Sequence, residues 1–181
     1  MTALRKTAGK PRPVRRTAAN RHAAPTPAAD TLALDLQVRS RARHVPSRRA
    51  FAQWVQAALA GRVTGAAELT LRVVGPAEMQ TLNREYRDKD YATNVLSFPF
   101  EVPAGIELPV RVLGDIVLCA QTVQREAREQ EKPVQAHWAH LTVHGVLHLL
   151  GMDHMTTREA RAMESAEIAV LKELGFGNPY E

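Results

Sequence analysis

Three histidines define the chemistry open to this chain. His144 and His148 stand four residues apart, and the frame continues as His144-x-x-x-His148-x-x-Gly151-x-x-His154. On a helix, four residues advance the chain by about 6 Å and return it to nearly the same face, so two imidazoles at that spacing can share one ion. Glycine enters the left-handed region without a Cβ penalty, so Gly151 can end the helix and turn His154 back toward the same point. Three neutral imidazoles leave a fourth position for water, which is the donor pattern of catalytic zinc. The expected ion is one Zn2+. Ni2+ or another divalent metal remains an alternative, because imidazole also accepts nickel, copper and iron.

The spacing resembles that of the metzincin proteases, whose frame is HExxHxxGxxH. Gly145 stands where those enzymes carry the glutamate that serves as general base. Without that carboxylate the peptidase reading has no proton shuttle. Asp153, beside the third histidine, can act as a base, orient a ligand or simply hold the turn. His137 and His140 fall on the preceding turns, His140 one turn before His144. Both are expected to be packed or surface histidines, with a supporting or substrate role open to His140.

Positioning these groups requires a folded domain, expected from about Thr31 onward. Leu32, Leu34, Leu36 and Val38 alternate with more polar residues, the period of a strand with one buried face. Ser47 can cap a helix reaching Ala60, with Phe51, Trp54, Val55, Ala58 and Leu59 on one stripe and Gly61 as its stop. A second strand is predicted over 67–74. Gly75-Pro76 then turns the chain into a short helix over 77–86 that uses Met79, Leu82 and Tyr86. Asn94 to Phe100 reads as a strand that ends or lies at an edge at Pro99, which lacks an amide donor. Residues 101–112 read as a loop and Leu113 to Cys119 as a strand. Helices follow over 120–131, 134–150 and 157–174. The expected fold is a single α+β domain: a mixed sheet of three to four strands packed with about five helices, the metal site at the end of a central helix.

The stretch from His144 to His154, His-Gly-Val-Leu-His-Leu-Leu-Gly-Met-Asp-His, resembles the signature of the YbeY family, bacterial rRNA maturation factors and metal-dependent endoribonucleases. The block from Leu82 to Phe100, with Tyr86-Arg87-Asp88-Lys89-Asp90 and Asn94-Val95-Leu96-Ser97-Phe98-Pro99 within it, is similar to that family's other characteristic region. Leu113-Gly114-Asp115-Ile116 is a third match. The likeness spans about residues 32–180. It implies single-strand-specific RNA cleavage, processing of the small-subunit rRNA 3′ end and a link to ribosome quality control. It also implies a small-subunit ribosomal protein and an assembly GTPase as partners. The same resemblance carries the family's functional arginine onto Arg87 as the catalytic residue, with His144, His148 and His154 as metal ligands. From the residues alone, a salt bridge of Arg87 to Glu85, Asp88 or Asp90 on a solvated face is the favoured reading, and the resemblance is what turns the choice toward catalysis. Lys89 could touch a neighbouring phosphate. Thr93, Asn94 and Ser97 lie in the block without an assigned role. Two other classes stay open: a zinc metalloprotease-like hydrolase, and a non-catalytic assembly factor whose zinc is structural. A closed structural site needs a fourth protein ligand, and Cys119 could approach only through the fold.

Charge narrows the classes further. The chain has 181 residues and a net charge of +5, with a pI near 9.8, values that point to an acidic partner such as nucleic acid. Yet residues 1–30 hold seven of the 24 Lys and Arg and one of the 19 Asp and Glu, so residues 31–181 are close to neutral. That first stretch has eight Ala, four Pro and no aromatic residue, too little apolar surface to offset its ordering entropy. It is expected to be a disordered basic extension, either a polycation for phosphates or an appendage without function. The single cysteine excludes an intrachain disulfide and a cysteine zinc ribbon and fits a reducing compartment. No run of about 18 apolar residues is present, and no apolar segment follows the early basic residues as a secretory signal requires. A cytoplasmic protein that binds RNA, and neither membrane nor DNA, is expected.

Overall fold

The computed structural model describes residues 31–102, 105–106 and 108–181, so the expected basic extension over 1–30 lies outside the described residues. The elements run β1 (Leu32–Val38), α1 (Arg48–Leu59), β2 (Ala67–Val74), α2 (Pro76–Arg87), β3 (Val95–Pro99), β4 (Arg111–Cys119), α3 (Ala120–Glu129), α4 (Val134–Leu149) and α5 (Thr157–Glu173). The sheet order is β1-β2-β4-β3. β1, β2 and β4 are parallel, and β3 is antiparallel to β4. The α+β architecture read from the sequence is therefore the observed one: four strands in a mixed sheet and five helices.

Local chemistry accounts for the element ends. The Ser47 hydroxyl accepts from the Ala50 amide at 3.2 Å and caps α1. Thr156 and Glu159 form a reciprocal capping box at the start of α5, a signal present in the sequence. β3 lies at the edge and ends at Pro99, where the missing amide removes a ladder donor. Opposite Pro99, Gly114 has a φ of +130°. A Cβ there would lie 2.1 Å from the Phe98 carbonyl oxygen, so the close pairing of β3 and β4 at this point requires glycine.

The two faces of the sheet carry different helices. Leu69, Leu71, Val73, Ile116 and Leu118 face one core with Phe51 and Trp54 of α1, Trp138 and Leu147 of α4, and Met163 and Leu171 of α5. Val74, Leu96, Val117 and Cys119 face a smaller cluster with Met79 of α2. Tyr86 departs from the expected α2 stripe: it is half exposed and meets Phe98 edge-on at 4.9 Å. Asn83 is buried instead, because its side-chain amide donates to the Tyr91 carbonyl at 2.8 Å and ties down the segment before β3.

α4 runs through the centre and touches α1, α3, α5, β3 and β4. Ten of its sixteen residues are buried, which explains an apolar sequence with little sidedness. Beyond Ala136, the residues of α4 left part-exposed are His140, His144 and His148, spaced by four. Packing thus leaves one open strip on the helix, and that strip is imidazole.

Candidate metal centre

Leu147, His148, Leu150, Gly151 and Met152 close α4 with two overlapping turns. The Met152 amide donates to the Leu147 carbonyl at 3.0 Å, and the Gly151 amide to the His148 carbonyl at 2.9 Å. Gly151 has a φ of +87°. This is the Schellman arrangement, in which a left-handed residue satisfies the last helical carbonyls and reverses the chain. The reversal carries His154 back over the end of α4. Its ring centroid lies 5.0 Å from that of His148 and 5.8 Å from that of His144. One ring nitrogen from each of His144, His148 and His154 falls within 4.8 Å of the others. The Nε2 atoms of His144 and His148 face each other at 3.1 Å.

The donor set suits a divalent ion. Three imidazoles converge, and His154 is exposed, so the cluster opens to solvent. Partial burial and the neighbouring His144 and His154 lower the pKa of His148, which favours the neutral form that ligates metal. A pre-oriented second layer stands behind the first. Glu167 of α5 is fully buried, and its Oε1 accepts from His144 Nδ1 at 2.7 Å. Its Oε2 accepts from His140 Nε2 at 3.0 Å and from the Tyr180 hydroxyl. Burial alone would raise the Glu167 carboxyl, but these hydrogen bonds outweigh it and hold the pKa down to about 2. Burial, then the bond to Glu167, pushes the Tyr180 hydroxyl upward. Sequence reading missed Glu167. The available signal was a glutamate on the buried stripe of α5, in register with Met163, Val170 and Leu171.

Other residues singled out from the sequence find definite places. His137 is buried and meets Glu126 at 3.0 Å, as a packed histidine. Glu126 also accepts from Asn94 Nδ2 at 2.9 Å, and Asn94 Oδ1 accepts from the Val95 amide at 2.7 Å, so this network pins the start of β3. His140 belongs to the second layer through Glu167. Asp153 is exposed, and its Oδ1 accepts from the His154 amide at 2.8 Å, a bond within the turn that carries His154. Ser97 Oγ donates to the Gly145 carbonyl at 3.4 Å. A Cβ on Gly145 would lie 3.0 Å from two Ile116 atoms and 3.2 Å from Ser97 Oγ. The sheet therefore fills the space a side chain would need at the position where the metzincin frame has its base. Cys119 is buried in the cluster on the opposite face and accepts from Thr122 Oγ, away from the imidazoles.

Arg87 lies on the last turn of α2, where a cation is favoured by the helix dipole. It is exposed, and among the described residues no hydrogen bond or ion pair engages its side chain. Asp90, one of its possible partners, instead pairs with Arg84 at 3.5 Å and accepts from Gln80 at 3.1 Å. α2 packs with the smaller cluster on one face of the sheet, and α4 with the main core on the other. No contact joins it to the histidines.

Comparison with known proteins agrees with the geometry. The family model described as Endoribonuclease YbeY matches residues 36–175. A curated Endoribonuclease YbeY of Alkalilimnicola ehrlichii is 55% identical over 155 residues, covering 83% of this chain and 93% of that one. The solution structure of a Thermotoga maritima protein superposes with a TM-score of 0.51 at 20% identity, over 80% of this chain and 91% of that one, a likeness of fold. With the three-histidine cluster, the β3 edge strand and a family match across most of the described domain, the chain belongs to the YbeY family of endoribonucleases.

Proposed function

We propose that this protein is a metal-dependent, single-strand-specific endoribonuclease that matures the 3′ end of small-subunit rRNA and acts in ribosome quality control. Family membership makes it an RNA-cleaving hydrolase of rRNA processing. The observation that carries the reading is the convergence of His144, His148 and His154 at the open end of α4. In this reading they hold one Zn2+, with Ni2+ as an alternative. The ion supplies Lewis-acid polarisation of a phosphoryl oxygen and a lowered pKa for water.

The chain's own residues do the rest. The β3 edge and the exposed end of α4 bound the space in which an RNA strand would lie. Arg87 stabilises the charge that grows on phosphorus, because a guanidinium can donate two parallel hydrogen bonds to a phosphate. The absence of any described ion pair on Arg87 supports this role, since a guanidinium already paired must first break that contact. A small-subunit ribosomal protein and an assembly GTPase are the proposed partners, and the cytoplasm is the proposed location. Among the described residues no helix is long and apolar enough to cross a membrane.

The test is cleavage of matched single-stranded and hairpin RNAs, with and without chelator. Chelation abolishes cleavage, single strands are preferred, and His148→Ala loses both metal and activity. Full metal occupancy in His148→Ala, measured by mass spectrometry, would sink the ligand assignment.

A further inference from the structure

We propose that Glu167 is the positioning residue of the histidine site, selecting the tautomer of His144 and thereby the direction of its ligand lone pair. The inference rests on the reading of His144, His148 and His154 as metal ligands. Glu167 is wholly buried on the stripe of α5 that otherwise carries Met163, Val170 and Leu171. An aliphatic residue there would continue the core, and an ionised carboxylate is costly in such a place unless its oxygens are satisfied. Here both are. Oε1 takes His144 Nδ1 at 2.7 Å, and Oε2 takes His140 Nε2 at 3.0 Å together with the Tyr180 hydroxyl.

An ionised carboxylate only accepts, so the atom facing Oε1 must carry the proton. His144 is thereby held in its Nδ1–H form, and its lone pair sits on Nε2. That Nε2 is the atom facing His148 Nε2 at 3.1 Å, at the centre of the cluster. His140 and Tyr180 leave the carboxylate no freedom to rotate away. Tyr180 arrives from the segment after α5, which the Lys132 ammonium holds through the Pro179 carbonyl. The far end of the chain therefore closes over the back of the site, and three elements converge on one carboxylate. Outer carboxylates that orient ligating imidazoles contribute about 10- to 100-fold to metal affinity in general.

The experiment uses the full chain, first freed of metal, at about pH 8, where imidazoles are neutral. Long-range proton–nitrogen spectra of histidine-labelled protein report the His144 tautomer, and competition with a chromophoric chelator reports Zn2+ affinity. The wild type shows His144 as Nδ1–H. Glu167→Gln mixes the tautomers and weakens Zn2+ binding by about 10- to 100-fold, and His148→Ala loses binding. A folded Glu167→Gln protein with unchanged Zn2+ affinity overturns the positioning role while the metal site stands. If that variant does not fold, the wild-type spectrum decides alone, since an Nε2–H tautomer at His144 overturns the proposal. Unchanged Zn2+ affinity in His148→Ala removes the metal site itself, and the proposal with it.

Discussion

Replacing Glu167 by glutamine and following the stability of the metal-free protein into acid measures what the buried carboxylate contributes. The Glu167 carboxyl ordinarily titrates near 4.5 and is held at about 2 in the fold. A carboxyl whose folded pKa is depressed adds stability that is complete above the unfolded pKa. That stability is lost as pH falls through the folded value. The displacement from 4.5 to about 2 corresponds to about 3 kcal/mol, most of it lost between about pH 5 and pH 2. Because Glu167 is fully buried, solvent screening takes little from this figure. Urea unfolding at a series of pH values reads it directly. With a slope of about 1–3 kcal/mol per molar, the wild-type midpoint falls about 1–3 M further than that of Glu167→Gln over the same range. Parallel curves for the two proteins would refute the account of Glu167 as an ionised, three-donor carboxylate.

Other expectations follow from the same structure. Gly114→Ala forces a Cβ to 2.1 Å from the Phe98 carbonyl at a φ of +130°; with strain of about 1–3 kcal/mol from the backbone alone, it lowers stability by at least that much in denaturant titration. Gly145→Glu, which restores the metzincin pattern, drives a carboxylate against Ile116 and Ser97; it destabilises by more than the roughly 1–3 kcal/mol of simple overpacking, and casein hydrolysis stays at background. Arg87→Ala keeps its metal by mass spectrometry but cleaves RNA about 100-fold or more slowly, the loss expected when a charge-stabilising donor is removed; unchanged cleavage by a clean preparation would remove Arg87 from the chemistry. Deleting residues 1–30 leaves cleavage at saturating RNA intact and flattens the salt dependence of RNA affinity, because a polycation acts through released counterions.

Much of this molecule is legible from local pattern. The alternation in Leu32–Val38 and Ala67–Val74, the Ser47 cap and the Gly151 stop are written in neighbouring residues, and each element forms where that pattern places it. Pro99 at the β3 edge follows in the same way, since a missing amide is a property of one residue. Tyr86 was misplaced because a helical period cannot tell a buried ring from one that leans on an edge strand. The buried member of that face is Asn83, whose reason for burial is a carbonyl eight residues away.

The three ligating candidates and their family signature lie within eleven consecutive residues, from His144 to His154, so helical spacing and the local turn at Gly151 bring them together. Their orientation is a different matter. Which nitrogen of His144 points inward depends on Glu167, 23 residues along the chain, and on Tyr180 beyond it. Whether Gly145 has room for a base depends on Ile116, and whether Arg87 is paired depends on which arginine Asp90 meets. Those contacts form only when α5 and the sheet pack on α4, because hydrogen bonds and steric contacts act over a few ångströms in space whatever the separation in sequence.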